Sequence, residues 1–112
     1  MRLFTFIELQ PFAAIRDTYL ADEEFAEFQS WLAMHPEAGD VIPHSGGCRK
    51  LRWSTEGRGK RGGVRIIYFL RLRPGQIVLV TMYAKNVRDN IDPGILKRLK
   101  EAFEHGQSSE NK

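Results

Sequence analysis

Apolar and polar residues alternate in several short runs along this chain, and between those runs the spacing changes to that of helices. Arg2 to Leu9 (RLFTFIEL) alternates and is rich in Phe and Ile, which predicts a first strand. Pro11 suits the first turn of a helix, where its missing N–H costs nothing. Phe12, Ile15 and Tyr19 recur at i, i+3 and i+7 and give that helix one apolar face. Asp22 reads as the N-cap of a second helix, with Glu23 and Glu24 at its positive end. Phe25, Phe28 and Leu32 make its buried stripe, and Pro36 stops it. Gly39 to Pro43 looks like a turn with a short extended piece. Strands are expected at Cys48–Ser54, Val64–Leu72 and Ile77–Lys85, with a tight turn over Arg73-Pro74-Gly75-Gln76. Asp92 as N-cap and Pro93 at the first helical position open a final helix. Leu96, Leu99 and Phe103 line its apolar stripe, with Gly106 just past its end.

The predicted order is strand, helix, helix, three antiparallel strands, helix. Such an order closes most simply as an α+β domain: a curved, mainly antiparallel sheet with two N-terminal helices and one C-terminal helix on one face, the other face open. At 112 residues the chain suits one domain, assigned to residues 1–106 with a polar tail at 107–112. A hydrophobic content of 42% is ample for a folded core and argues against wholesale disorder. Cys48 is the only cysteine, so an intrachain disulfide or a multi-cysteine metal site is impossible. No leader-like segment or membrane-length apolar run is present, which predicts a cytoplasmic protein that does not enter membranes.

Charge changes the picture more than composition does. The net charge is only +3, yet residues 1–40 hold eight acids against Arg2 and Arg16, while residues 47–73 hold nine Lys or Arg against Glu56 alone. A basic density of this kind fits a polyanionic partner such as nucleic acid. Alternation along Val64–Arg71 puts Arg65, Ile67, Phe69 and Arg71 on one face; in the next strand Ile77, Leu79, Thr81, Tyr83 and Lys85 are expected to share a face. Antiparallel pairing brings Arg65 and Lys85 to one end of the sheet, beside the glycine-rich loop bearing Arg58, Lys60 and Arg61. Arg49, Lys50 and Tyr83 complete the candidate phosphate- and base-binding set.

RNA supplies its own nucleophile, the 2′-OH, and its metal-free cleavage needs proton transfer and stabilisation of the phosphorane charge. Arg65 suits the second task because its planar fork grips two phosphate oxygens. Crowding by arginines is expected to lower the pKa of Lys60 or Lys85, which makes either a better proton-transfer group. Arg65, Lys85 and Lys60 are therefore the catalytic candidates, with no metal or cofactor expected. The same loop also reads as a solvated hairpin or a simple phosphate grip. It lacks the Gly-Lys-Ser/Thr ending of a nucleotide-binding loop. Trp31 and Trp53 are expected to pack, and His44 to be an exposed loop residue.

Taken in order, Gly39-Asp40-Val41-Ile42, Gly46-Gly47-Cys48-Arg49-Lys50-Leu51-Arg52, Gly57-Arg58-Gly59-Lys60-Arg61-Gly62-Gly63, Arg65-Ile66-Ile67-Tyr68 and Thr81-Met82-Tyr83-Ala84-Lys85-Asn86 resemble the HigB-type toxins of the RelE/ParE superfamily. The resemblance extends to Asp22-Glu23-Glu24-Phe25 and covers nearly the whole chain. It implies a compact α+β toxin of a bacterial type II toxin–antitoxin system, neutralised by a cognate antitoxin. RelE-like members enter the ribosomal A site and cut mRNA with clustered Lys and Arg. By position, Arg65, Lys85 and Lys60 with Arg61 match the basic residues of that cluster. The chain departs from RelE in having no tyrosine after Tyr83. ParE-like relatives share the fold and inhibit DNA gyrase, and a non-catalytic RNA-binding module is a third reading.

Overall fold

The structure, a computed structural model, describes residues 3–54, 63–84 and 90–110. Its elements are β1 (Thr5–Glu8), α1 (Gln10–Tyr19), α2 (Asp22–Met34), β2 (Asp40–Val41), β3 (Arg49–Trp53), β4 (Val64–Arg71), β5 (Gln76–Ala84) and α3 (Pro93–Glu110). The strands form one open mixed sheet in the order β1-β5-β4-β3-β2. β1 runs parallel to β5, and every other neighbouring pair is antiparallel. The α+β class is the expected one.

Helix boundaries follow local chemistry. Pro11 sits in the first turn of α1. The N-cap of α2 is Ala21 rather than Asp22: the Glu24 carboxylate accepts the Ala21 N–H at 2.9 Å, and Asp22 becomes the first helical residue. Asp22 Oδ1 also accepts from Arg16 Nη1 at 2.8 Å, tying the two helices together. At α3, Asp92 Oδ1 accepts the Gly94 N–H at 2.9 Å, as an Asp ahead of a Pro-initiated helix should. The helix continues past Gly106 to Glu110 instead of ending there.

The central strand β4 is buried on both sides, and this decides the layering. Val64, Ile66 and Tyr68, with Ile77, Leu79, Met82 and Ala84 of β5, pack against Phe12, Leu20, Phe25, Phe28 and Leu32 of the α1–α2 layer. Ile67 and Phe69, with Val78, Val80 and Tyr83, pack against Leu96, Leu99 and Phe103 of α3. Helices thus cover both faces, in place of the expected single covered face. The physical reason lies in β4 itself: with apolar side chains pointing both ways, an open second face would leave Ile67 and Phe69 in water.

β5 contains one residue too many for its partner. Ile67 pairs with Thr81 and Tyr68 with Leu79, so Val80 has no partner across the ladder. This bulge reverses the alternation of β5. Ile77 and Leu79 face α1 and α2, whereas Tyr83 faces α3; the expected common face for Ile77, Leu79, Thr81 and Tyr83 does not form.

A polar strut joins the end of α2 to the sheet. The fully buried Tyr68 donates its O–H to the Pro36 carbonyl at 2.8 Å and accepts the Gly39 N–H at 2.9 Å. Arg49 Nη1 donates to the Glu37 and Gly39 carbonyls at 3.0 and 2.8 Å. Burial pushes the Tyr68 phenol above its ordinary value, and the Gly39 N–H and Arg49 charge oppose that rise. Tyr68→Phe leaves a buried N–H and carbonyl unpaired and should cost about 1–3 kcal/mol. Urea unfolding should show a lower midpoint with unchanged slope. Because the native phenol holds its proton more tightly than the unfolded one, its contribution is complete below pH of about 10 and is lost at higher pH. The stability difference between wild type and Tyr68→Phe should therefore shrink in alkali.

Candidate nucleic-acid interface

Sheet register builds a row of cations at one end of the molecule. Arg52 of β3 pairs directly with Arg65 of β4, and Arg65 pairs with Tyr83 of β5. Lys50 stands two residues along β3 from Arg52, opposite Ile67. Cross-strand partners share a face, and Ile67 and Tyr83 belong to the α3-side cluster. Lys50, Arg52 and Arg65 therefore lie on the α3 face of the sheet. Lys50 Nζ reaches Asn90 Oδ1 at 3.4 Å.

One step beyond this row, Trp53, Val64 and Ala84 pair across the same three strands. The chain leaves the sheet here after Trp53, returns through Gly63, and leaves again after Ala84. Gly63 has φ +64°, and a Cβ on it would collide with the Trp53 carbonyl, so the return into β4 is open only to glycine. The segments bearing Arg58, Lys60, Arg61 and Lys85 are thus joined in sequence to the end of the sheet that presents Arg65. Those four residues themselves lie outside the described residues.

Two other expected members are placed differently. Arg49 pairs with Tyr68, on the α1–α2 face, and spends its guanidinium on the carbonyls of Glu37 and Gly39. It braces the fold and does not join Lys50 and Arg65. Tyr83 is only 6% exposed within the α3-side cluster, which leaves little ring face for stacking on a base. Arg52 and Asn90 were not among the expected site residues. Arg52 was discoverable, because it follows Lys50 at the two-residue period of an alternating strand. Asn90 was not, since it meets Lys50 across forty positions of sequence.

The remaining chemistry points elsewhere. A cavity of about 530 Å³ at the α2–β3 edge is lined by Glu24, Glu27, Trp31, Arg52, Trp53 and Ser54. Its two indoles lie 5.6 Å apart; Trp53 also meets Phe28 edge-on at 5.2 Å and packs as expected, whereas Trp31 stays exposed with its ring against His35 and Trp53. Its two carboxylates make it a poor receptor for phosphate. Cys48 is buried, and that burial raises its thiol above the ordinary value while the Ser45 hydroxyl, donating to and accepting from its backbone, opposes the rise. A thiol so placed is no nucleophile at neutral pH. Among the described residues no group of His, Cys, Asp and Glu is arranged to hold a metal ion, and no helix is long and apolar enough to cross a membrane.

Compared with known families, the chain matches no family model.

Arg52 is exposed near the end of β3, where a surface substitution changes stability little. Arg52→Thr should therefore shift stability by no more than about 0.5 kcal/mol. Thermal unfolding of the two proteins measures the difference.

Proposed function

We propose that this protein is the toxin of a bacterial type II toxin–antitoxin system, a ribosome-dependent endoribonuclease that cuts mRNA in the cytoplasm and so inhibits translation. The observation that supports it best is the Arg52–Arg65 pair at the sheet end from which both basic segments depart. Two cations brought to one position of the sheet by strand register fit a site whose ligand is an anion. The resemblance to HigB-type toxins supplies the remainder of the reading, including a cognate antitoxin as the partner that masks this rim.

In the proposed reaction the 2′-oxygen attacks the adjacent phosphorus, the bond from phosphorus to the 5′-oxygen breaks, and a cyclic phosphate and a free 5′-hydroxyl result. One proton leaves the 2′-OH and one reaches the departing 5′-oxygen; Lys60 and Lys85 are the candidates for those transfers. Arg65 binds the non-bridging oxygens, where charge grows as the phosphorane forms. No residue of the set requires a metal or cofactor for this chemistry.

The test is induction in cells followed by mapping of mRNA 5′ ends. Wild type should generate new codon-phased ends, and Arg65→Ala should reduce them by about 100-fold or more. Lys60→Ala and Lys85→Ala should each slow cleavage. Growth arrest with intact mRNA and impaired DNA supercoiling would replace this reading with gyrase inhibition. Full cleavage by all three variants would remove these residues from the mechanism.

A further inference from the structure

The α3 face carries a second group of anion-binding features that the proposed cleavage site does not use. It lies where the loop before β3 meets α3. Gly46 and Gly47 have φ of +79° and +105°, His44 of +65°, and Ser45 between them does not share the positive sign. Turns of this kind direct successive backbone N–H groups outward and make concavities that bind anions. Both glycines are exposed, and among the described residues neither N–H has a hydrogen-bond acceptor. Ser45 is fully buried and locks the turn from beneath: its hydroxyl donates to the Ile42 carbonyl at 2.6 Å and accepts the Cys48 N–H at 3.0 Å.

Positive charge stands beside these amides. A Cβ built on Gly46 would lie 3.4 Å from Lys97 Cγ and 3.8 Å from Lys100 Cδ, so both stems run against the loop. Lys100 is committed to Glu104 at 3.0 Å and to the Phe69 ring. Lys97 is exposed and, among the described residues, has no acid partner. The strand geometry links this loop to the cation row. Arg52, Lys50 and Cys48 succeed one another on the same face at about 7 Å per step, and Gly47 follows directly.

We propose that the α3 face holds a track for the backbone of single-stranded RNA, running from the Arg52–Arg65 pair past Lys50 and Asn90 to a phosphate seat formed by the Gly46 and Gly47 amides and Lys97. The proposal rests on the RNA-cleaving reading and extends it: the enzyme grips nucleotides several positions away from the scissile bond. Strand rise alone carries the track about 13 Å from Arg52 to Cys48, and the seat lies beyond, so the track exceeds what one or two nucleotides reach. Backbone amides and lysine ammonium groups read phosphate and not base, so the grip is sequence-independent.

The probes are 2′-O-methyl oligoribonucleotides, which lack the attacking hydroxyl, of about two and about twelve nucleotides. Binding to the full chain is followed by fluorescence anisotropy across a salt series. The double variant Lys50→Ala/Lys97→Ala should bind the longer probe about tenfold more weakly, with the salt slope reduced by about 0.7 for each lysine. Lys97→Ala alone, which removes only the far end of the track, should leave the affinity for the short probe unchanged. Arg65→Ala should weaken both probes. Both lysines are at least partly exposed, so the fold should persist, and an unfolding curve checks this. Wild-type affinity and slope in the double variant would overturn the track while leaving the cleavage reading intact. Failure of the wild-type protein to bind the longer probe would also overturn the track, whereas the cleavage reading stands or falls on the mapped mRNA ends.

Discussion

The position of β4 in the middle of the sheet governs everything else in this molecule. Five consecutive residues, Ile66 to Leu70, are apolar, and the strand has neighbours along both edges and helices over both faces. Fully burying side chains of this size contributes about 1.5–3 kcal/mol each. A one-residue slip of β3 or β5 against β4 would exchange the two faces and lose that packing. Register is therefore tightly held, and the pairing of Arg52 with Arg65 and of Arg65 with Tyr83 is a consequence of it. The cations do not select their own arrangement; the core imposes it on them.

Two local devices refine this scaffold. The unpaired Val80 turns β5 over, so that Thr81 meets Ile67 and Tyr83 falls on the α3 side next to Arg65. The Tyr68–Arg49 strut ties the segment after α2 to the sheet through four hydrogen bonds to backbone atoms of Pro36, Glu37 and Gly39. That segment leads directly into β2, which pairs with Arg49 and Lys50 at the sheet edge. Stability and site geometry thus share the same residues, with Arg49 serving the fold and its neighbour Lys50 facing the candidate ligand.

Much of this order was readable in advance. Alternation located the strands, and Asp92-Pro93 located the start of α3, because both signals are local. The double burial of β4 was also written in its continuous apolar run, although the expected one-sided sheet did not use it. Other features had no local signal. Val78-Leu79-Val80 looks like any buried strand, and only pairing with β4 reveals that Val80 is surplus. Arg49 and Lys50 are adjacent and chemically alike, yet one meets carbonyls folded back from Glu37 and Gly39 while the other meets Asn90. Proximity of this kind depends on tertiary closure, which periodicity does not encode. The basic residues Arg58, Lys60, Arg61 and Lys85 were legible as charge, and chain connectivity ties them to the Arg65 end of the sheet.

The central claim is that the α3 face of the sheet, and not the acidic tryptophan-lined cavity at the α2–β3 edge, receives RNA. Amide chemical-shift mapping with a non-cleavable single-stranded oligoribonucleotide tests it most directly. The account predicts perturbations at Lys50, Arg65, Asn90 and the Gly46–Gly47 turn, with Glu24, Glu27 and Trp31 unmoved. Perturbations centred on α2 and Trp31, or none anywhere at low salt, would contradict it.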